Sequence, residues 1–96
     1  MHYHRTNVDK NQKEIVGKLI ANGFAVKLMM AMGEGFPDLI VSRKGWGTFL
    51  VEVKMPGKKP NARQLKFYQD WDRAGGEDPI VVTSAEMFFE AVGYSV

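Results

Sequence analysis

Three charged residues, Asp38, Glu52 and Lys54, stand in two neighbouring apolar segments at spacings that could build a hydrolytic site. Residues 43–48 between those segments contain two glycines, which accept the positive φ angles of a tight reversal, so the pattern predicts a β-hairpin. Glu52 and Lys54 are two residues apart and therefore leave the second strand on the same face. If the reversal centres near Gly45, Asp38 lies directly across from Glu52, and the two side chains start about 5 Å apart.

Two carboxylates that close repel each other, and one takes up a proton unless a cation lies between them. A hard divalent ion suits such a pair, because Mg²⁺ prefers carboxylate oxygens and keeps several waters. Lys54 on the same face could orient an attacking water or offset charge on a phosphate. These residues predict metal-assisted hydrolysis of phosphodiester bonds. The alternative is an ordinary solvated strand face, on which an acid and a lysine alternate with valines and do no chemistry.

The elements that must position these residues follow from the pattern of apolar residues, caps and glycines. That pattern predicts an α/β fold in the order α-β-β-β-α-β-α, with a mixed sheet flanked by helices. A strand, helix, strand unit needs a right-handed crossover, so the last strand is expected to run parallel to the Glu52 strand. Asp9 is expected to cap the first helix and Gly23 to stop it. The predicted bounds are helices over residues 9–22, 61–74 and from 83–86 to about 93, and strands over residues 24–29, 37–41, 49–54 and 79–83.

Pro37-Asp38 followed by Glu52-Val53-Lys54 resembles the PD-(D/E)xK nuclease signature. The order of the surrounding motifs resembles its VRR-NUC branch, the virus-type replication-repair nuclease domain. The resemblance covers residues 12–92, nearly the whole chain. It implies a restriction-endonuclease-like fold and a single VRR-NUC-like domain over residues 1–96.

The resemblance also implies roles for the residues of the hairpin. Asp38, Glu52 and the backbone carbonyl of Val53 are expected to bind Mg²⁺ or Mn²⁺. Lys54 is expected to position and help activate a water for in-line attack on phosphorus, while the metal stabilises the developing charge.

Two helical residues join the site by the same resemblance. Glu14 in the first helix would hold a water or a second metal, and Gln64 at the start of the second helix would lie beside the site. From the residues alone, the pattern favours an exposed helix acid for Glu14, and Gln64 could equally be the partner of Asn61 in a capping box. The apolar surface of the second helix is expected to come from Leu65, Phe67, Tyr68 and Trp71.

Charge is distributed unevenly, although the formal net charge is only +2. Every charged residue between positions 54 and 69 is basic, whereas acids concentrate from position 70 onward. A basic segment directly after the predicted metal strand is where a phosphate backbone would be held, and a solvated loop is the alternative. The predicted DNA-binding residues are Lys58, Lys59, Arg63, Arg43 and Lys44.

Composition bounds the remaining possibilities. A chain of 96 residues allows one domain with a modest core. The absence of cysteine excludes a disulfide scaffold, a thiolate zinc site and a thiol nucleophile. Nothing resembles a signal peptide or a membrane span, so a cytoplasmic setting is expected, in the host if the source is viral. His2 and His4 alternate in a polar tail over residues 1–7 and are not assigned to the site.

The predicted function is that of a metal-dependent deoxyribonuclease that selects DNA structure, since phosphate contacts carry no sequence information. Stand-alone members of the branch resemble Holliday-junction resolvases, and a symmetric four-way junction calls for a twofold dimer. Flap or end cleavage is the nearest competitor, and a non-catalytic DNA-binding module or a small interaction domain without a nucleic-acid role are the alternatives from other classes. Candidates for a dimer interface, each of which could instead belong to the core, are Met29, Met30, Met32, Phe88 and Phe89.

Overall fold

The computed structural model describes residues 6–96, with side chains from residue 10 onward, so His2 and His4 lie outside the described residues. Within that range, three α-helices and four strands follow the predicted order. Their bounds are α1 (Thr6–Ala21), β1 (Ala25–Leu28), β2 (Leu39–Arg43), β3 (Gly47–Val53), α2 (Ala62–Arg73), β4 (Ile80–Val82) and α3 (Ala85–Val92), with a 3₁₀ turn at Met30–Met32.

The start of α1 differs from the prediction. The helix begins at Thr6, so Asp9 lies inside it and is not its N-cap residue. Residues 6–8 contain no glycine or proline, and nothing in the backbone therefore stops the helix from extending toward the N-terminus. At the other end, Gly23 adopts a φ of 87° and ends the helix as predicted.

The strands form one mixed sheet in the order β1-β2-β3-β4. The pairs β1–β2 and β2–β3 are antiparallel, and β3–β4 is parallel. The chain passes from β3 through α2 to β4, and β3 and β4 are parallel. This is the strand, helix, strand crossover that the sequence predicts. The fold class is confirmed.

The register of the β2–β3 hairpin sets the geometry of the site. Leu39 pairs with Val51 and Arg43 pairs with Gly47, so the reversal centres on Gly45, as predicted. Gly45 has a φ of 85°, the backbone conformation that made glycine the expected residue there. The last pair of the ladder is Leu39 with Val51. Extending this register by one residue sets Asp38 opposite Glu52.

One face of the sheet carries the hydrophobic core. Alternate residues of β2 and β3 point into it and pack against α1 and α3. Phe88 and Phe89 are core residues, whereas Met30 and Met32 are exposed. No helix within residues 6–96 has both the length and the apolar character that crossing a membrane requires. The core residues are Ile15, Leu19, Phe24, Leu39, Val41, Val51, Val53, Val82, Ala85, Phe88 and Phe89.

The loop that leads into β2 packs directly on the first turn of α2. Gly35 has a φ of 80°, and a Cβ atom there would collide with the carbonyl group of Arg63. The rings of Phe36 and Phe67 meet edge to face with centroids 5.3 Å apart. This packing holds Asp38, which follows the loop, at a fixed position relative to α2.

Candidate active site

The Asp38 side chain is fastened to the end of β3. Its Oδ2 accepts a hydrogen bond from the backbone N–H of Val53 at 2.9 Å. The N–H and C=O of a strand residue point to the same side, so the Val53 carbonyl also lies toward Asp38. The structure therefore brings Asp38 and the main chain of Val53 together, as the sequence predicts.

Glu52 is buried, with 2% of its surface exposed. Its Oε2 accepts a hydrogen bond from Gln64 Nε2 at 2.6 Å, while its Oε1 is buried without a hydrogen-bond partner among the described residues. Burial, followed by the neighbouring charge of Asp38, raises the pKa of Glu52 to about 8 against the opposing effect of Lys54. Without an added cation, Glu52 is therefore mostly protonated at neutral pH.

Lys54 extends the site beyond the end of β3. Its Nζ donates to Gln64 Oε1 at 2.7 Å and lies 3.7 Å from Glu52 Oε2. The backbone is held on both sides, because the Lys54 N–H donates to the carbonyl of Val82 at 2.9 Å and its own carbonyl accepts from Asn11 Nδ2 at 3.4 Å. With 16% of its side chain exposed, Lys54 is fixed yet reachable from solvent.

Gln64 serves both as a capping residue and as a member of the site. Asn61 Oδ1 accepts from the Gln64 N–H at 3.0 Å, and Gln64 Oε1 accepts from the Asn61 N–H at 2.9 Å, which is a complete capping box. The same Oε1 accepts from Lys54, and Nε2 donates to Glu52. One amide thus joins the start of α2 to Lys54 and Glu52. The capping box is confirmed, and a part for Gln64 in a reaction stays a prediction.

Glu14 does not join this group. It lies on the exposed side of α1 and borders a shallow groove with Asn11, Met55 and Thr83. Among residues with described side chains, no three acidic or histidine residues cluster tightly enough to hold a metal ion. The α1 side chain that contacts the site is Asn11, one turn earlier, so the role of Glu14 as a ligand stays a prediction.

The predicted DNA-binding residues divide into two groups. Lys58 and Lys59 are exposed in the loop between β3 and α2, and Arg63 in the first turn of α2 forms an exposed ion pair with Glu34 at 3.8 Å. These residues lie in the chain between two residues of the site, Lys54 and Gln64. The hairpin tip lies at the other end of β2 from Asp38. At about 3.3 Å per residue, the strand separates the two by more than about 10 Å.

Arg43 at the hairpin tip is bound into the fold. Its Nε donates to the carbonyl of Asn22 at 3.0 Å, and its guanidinium lies 5.7 Å from the ring centre of Phe24 and 5.3 Å from that of Tyr94. Lys44 next to it is exposed. The structure does not bring Arg43 or Lys44 to the acids, and their contact with DNA stays a prediction.

Tyr68 is a residue that the sequence analysis assigned only to the apolar face of α2. Its hydroxyl is buried without a hydrogen-bond partner among the described residues. Burial first, then the charges of Glu52, Asp38 and Asp78, raise the pKa of Tyr68 to about 12. Its position four residues after Gln64, on the same face of the helix, is the signal that could have placed it near the site.

The donor set suits a hard divalent cation. Asp38 and Glu52 supply carboxylate oxygens, the Val53 carbonyl lies on the same side, and Glu52 Oε1 has no hydrogen-bond donor within the described residues. Mg²⁺ and Mn²⁺ prefer oxygen ligands of this kind. The residues present therefore fit the metal that the sequence predicts.

Comparison with known proteins supports the fold. No family model matches the chain, and no curated protein matches it. Among solved structures, a chain described as "VRR_NUC domain" has a TM-score of 0.70 and 26% sequence identity, with 92% of this chain and 96% of that chain covered. The fold is that of a VRR-NUC domain, which confirms the predicted resemblance and supports a domain of the nuclease type.

Proposed function

We propose that this protein, whose fold is that of a VRR-NUC domain, is a Mg²⁺- or Mn²⁺-dependent deoxyribonuclease that hydrolyses phosphodiester bonds. The observation that carries the proposal is the state of Glu52. It is a buried carboxyl group that faces Asp38 and has one oxygen without a partner among the described residues. A buried charge is costly unless it is paired or bound to a metal, and a divalent ion between the two acids would supply the missing charge.

The residues of the chain have distinct tasks in this proposal. Asp38, Glu52 and the Val53 carbonyl would hold the ion. When bound, the ion supplies charge stabilisation at the phosphate and makes a bound water more acidic. Lys54, held by Gln64 at 2.7 Å, donates a hydrogen bond to the attacking water or to a phosphate oxygen. Because Gln64 fixes both Lys54 and Glu52, it limits their motion and favours the reactive geometry.

DNA would be held beside the site by the basic loop, which we define as residues 54–61 together with Arg63 in the first turn of α2, and whose exposed basic residues are Lys58, Lys59 and Arg63. These side chains are exposed and follow β3 directly. Contacts from lysine and arginine to phosphates release counterions, so affinity should fall steeply as salt concentration rises. Such contacts read backbone geometry, and the proposed selectivity is therefore for DNA structure.

The proposed substrate is branched DNA, with a four-way junction as the first candidate and a flap or free end as the second. A symmetric junction would need two copies of the chain related by a twofold axis, with one site for each strand. Met30 and Met32 are 44% and 59% exposed and are available for such an interface. Phe88 and Phe89 are buried in the core and are not available.

The test is a cleavage assay with labelled four-way, flap and linear duplex DNA in Mg²⁺, Mn²⁺ or EDTA. We expect branched DNA to be cut only with a divalent ion and Lys54→Ala to lower kcat about 10²-fold or more. Lys27→Ala is the matched control, because Lys27 is an exposed lysine of β1 outside the site. Cleavage that survives EDTA, or that Lys54→Ala leaves unchanged, would contradict the proposal; binding without cleavage would favour a non-catalytic DNA-binding module.

A further inference from the structure

We propose that Tyr68 is a positioning residue of the site, and that its hydroxyl donates a hydrogen bond to a water bound beside Glu52 in the metal-loaded protein. This inference rests on the proposed function. It adds to the site a residue that neither the sequence motif nor the resemblance assigns.

The packing of α2 on the sheet places Tyr68 on the helix face that contacts β3. The hydrogen bond from Gln64 to Glu52, at 2.6 Å, fixes one face of α2 against β3. Tyr68 lies on that face, one turn or about 6 Å further along the helix. Trp71 in the next turn borders the same cleft as Leu50 of β3. The helix therefore runs back along β3 from Glu52 toward Leu50, with Tyr68 between Gln64 and Trp71.

Two buried polar side-chain atoms lack partners within the described residues, and both belong to this region. They are Tyr68 Oη and Glu52 Oε1. Buried tyrosine hydroxyls usually find a hydrogen-bond partner, and leaving one unsatisfied costs about 1–3 kcal/mol. Once Glu52 is ionised, as in the metal-loaded protein, its Oε1 is an acceptor. An unpaired donor and an unpaired acceptor in one buried region are typical of a place that a bound ligand or water completes.

The electrostatics indicate that the hydroxyl remains a donor. After burial, the charges of Glu52 and Asp38 are the largest causes that raise the pKa of Tyr68 to about 12. A phenol with such a pKa keeps its proton at any pH near neutrality. Since Mg²⁺ retains several waters, a fixed donor next to a ligating carboxylate can orient one of them.

The apolar part of the ring already has packing partners. Phe67 lies 6.4 Å from the Tyr68 ring in an edge-to-face contact, and Phe67 stacks on Trp71 at 5.1 Å. Phenylalanine can keep this packing, so the hydroxyl is not needed to hold α2 in place. Since packing does not explain why the Tyr68 hydroxyl is buried, we assign the hydroxyl a role in the site.

The test is Tyr68→Phe, measured by thermal unfolding, Mn²⁺ titration calorimetry and cleavage of branched DNA. We expect an unchanged or higher unfolding midpoint, because the substitution removes an unpaired buried hydroxyl. We expect Mn²⁺ affinity or kcat to fall about 10-fold or more, as is typical when a group that supports a metal site is removed.

Tyr94→Phe is the matched control. The Tyr94 hydroxyl donates to the carbonyl of Asn22 at 3.3 Å, far along the sheet from Glu52. Its removal should lower the unfolding midpoint and leave Mn²⁺ affinity and cleavage as in the wild type. The loss of one hydroxyl is thus expected to weaken Mn²⁺ binding or cleavage in Tyr68→Phe and to lower only the unfolding midpoint in Tyr94→Phe.

Tyr68→Phe that binds Mn²⁺ and cleaves DNA like an active wild type would overturn this inference alone. The same holds if Tyr68→Phe only lowers the midpoint, because the hydroxyl would then be structural. A wild type that neither binds Mn²⁺ nor cleaves DNA would overturn the proposed function and this inference with it.

Discussion

Glu52 is the residue whose environment departs most from that of an ordinary strand acid. The sequence gives it an alternating pattern typical of a solvated face, yet the side chain is 2% exposed and bonded to Gln64. Burial and Asp38 together raise the pKa of Glu52 to about 8. A group in this state binds a proton or a cation at neutral pH, and the two compete for the same oxygens.

Glu52 should make stability fall with pH in EDTA. Its folded pKa of about 8 lies above its ordinary value of 4.5, so the folded protein binds more protons than the unfolded chain between those values. The free energy of unfolding therefore decreases as pH rises through this window, by an amount on the order of a few kcal/mol at most. Urea unfolding at pH 5, 6.5 and 8 measures the slope.

Glu52→Gln is the control for that slope, because glutamine keeps an oxygen that can accept from Gln64 and carries no charge. We expect the variant to lose this part of the pH dependence, to be more stable than the wild type at pH 8, and to lose cleavage. Equal slopes for the two proteins would show that Glu52 titrates normally and would contradict the geometry described above.

At the scale of elements, α2 is joined to the site through its first turn. Gln64 caps the helix and holds Lys54 and Glu52, while Gly35 of the preceding loop packs against the carbonyl of Arg63. The basic loop lies between these contacts and β3. A change in the first turn of α2 should therefore alter both helix stability and the position of the charged groups.

Gln64→Ala should affect stability and activity together. The substitution removes half of the capping box and leaves Lys54 Nζ and Glu52 Oε2 without the amide. We therefore expect a stability loss above about 1 kcal/mol and a kcat that falls at least about 10-fold. Asn61→Ala removes only the cap and should cost about 1 kcal/mol with most activity kept. Denaturant unfolding and cleavage kinetics measure both; equal activity losses in the two variants would argue against the double role of Gln64.

Gly35→Ala should destabilise the contact between the loop and α2. Gly75→Ala is the matched control, because Gly75 has a similar positive φ of 91° but open space where Cβ would lie. Both variants carry the strain of a left-handed residue, about 1 kcal/mol or more, and only Gly35→Ala also meets the Arg63 carbonyl. Thermal unfolding should show a clearly lower midpoint for Gly35→Ala, and equal midpoints would contradict the close packing.

At the scale of the whole molecule, local rules carried most of the prediction. The centre of the hairpin, the register that sets Asp38 opposite Glu52 and the parallel β4 followed from glycine placement, strand alternation and the crossover rule. The start of α1 was missed because residues 6–8 hold no clear stop signal. The burial of Tyr68 and the Asn11 contact depend on how α1 and α2 pack on the sheet, which no local pattern states.

The charge distribution of the molecule predicts how salt affects DNA binding. The proposed DNA surface is the basic loop, so Lys58→Ala with Lys59→Ala should reduce the slope of log affinity against log salt concentration by about 2, since each phosphate contact contributes about 0.9. Lys13→Ala with Lys27→Ala, two exposed lysines of α1 and β1, is the matched control and should leave the slope unchanged. A fluorescence anisotropy series over salt concentration measures both slopes. If the Lys58 and Lys59 double variant kept the wild-type slope, the basic loop would not be the DNA-binding surface.

The most direct measurement is anomalous diffraction at the manganese edge from crystals of the protein grown with Mn²⁺. The proposed function predicts one strong peak between the carboxylates of Asp38 and Glu52, within coordination distance of both, and its loss in Asp38→Asn crystals. Crystals of a protein that cleaves DNA with Mn²⁺, but whose peak lies away from these two side chains or does not appear, would contradict it.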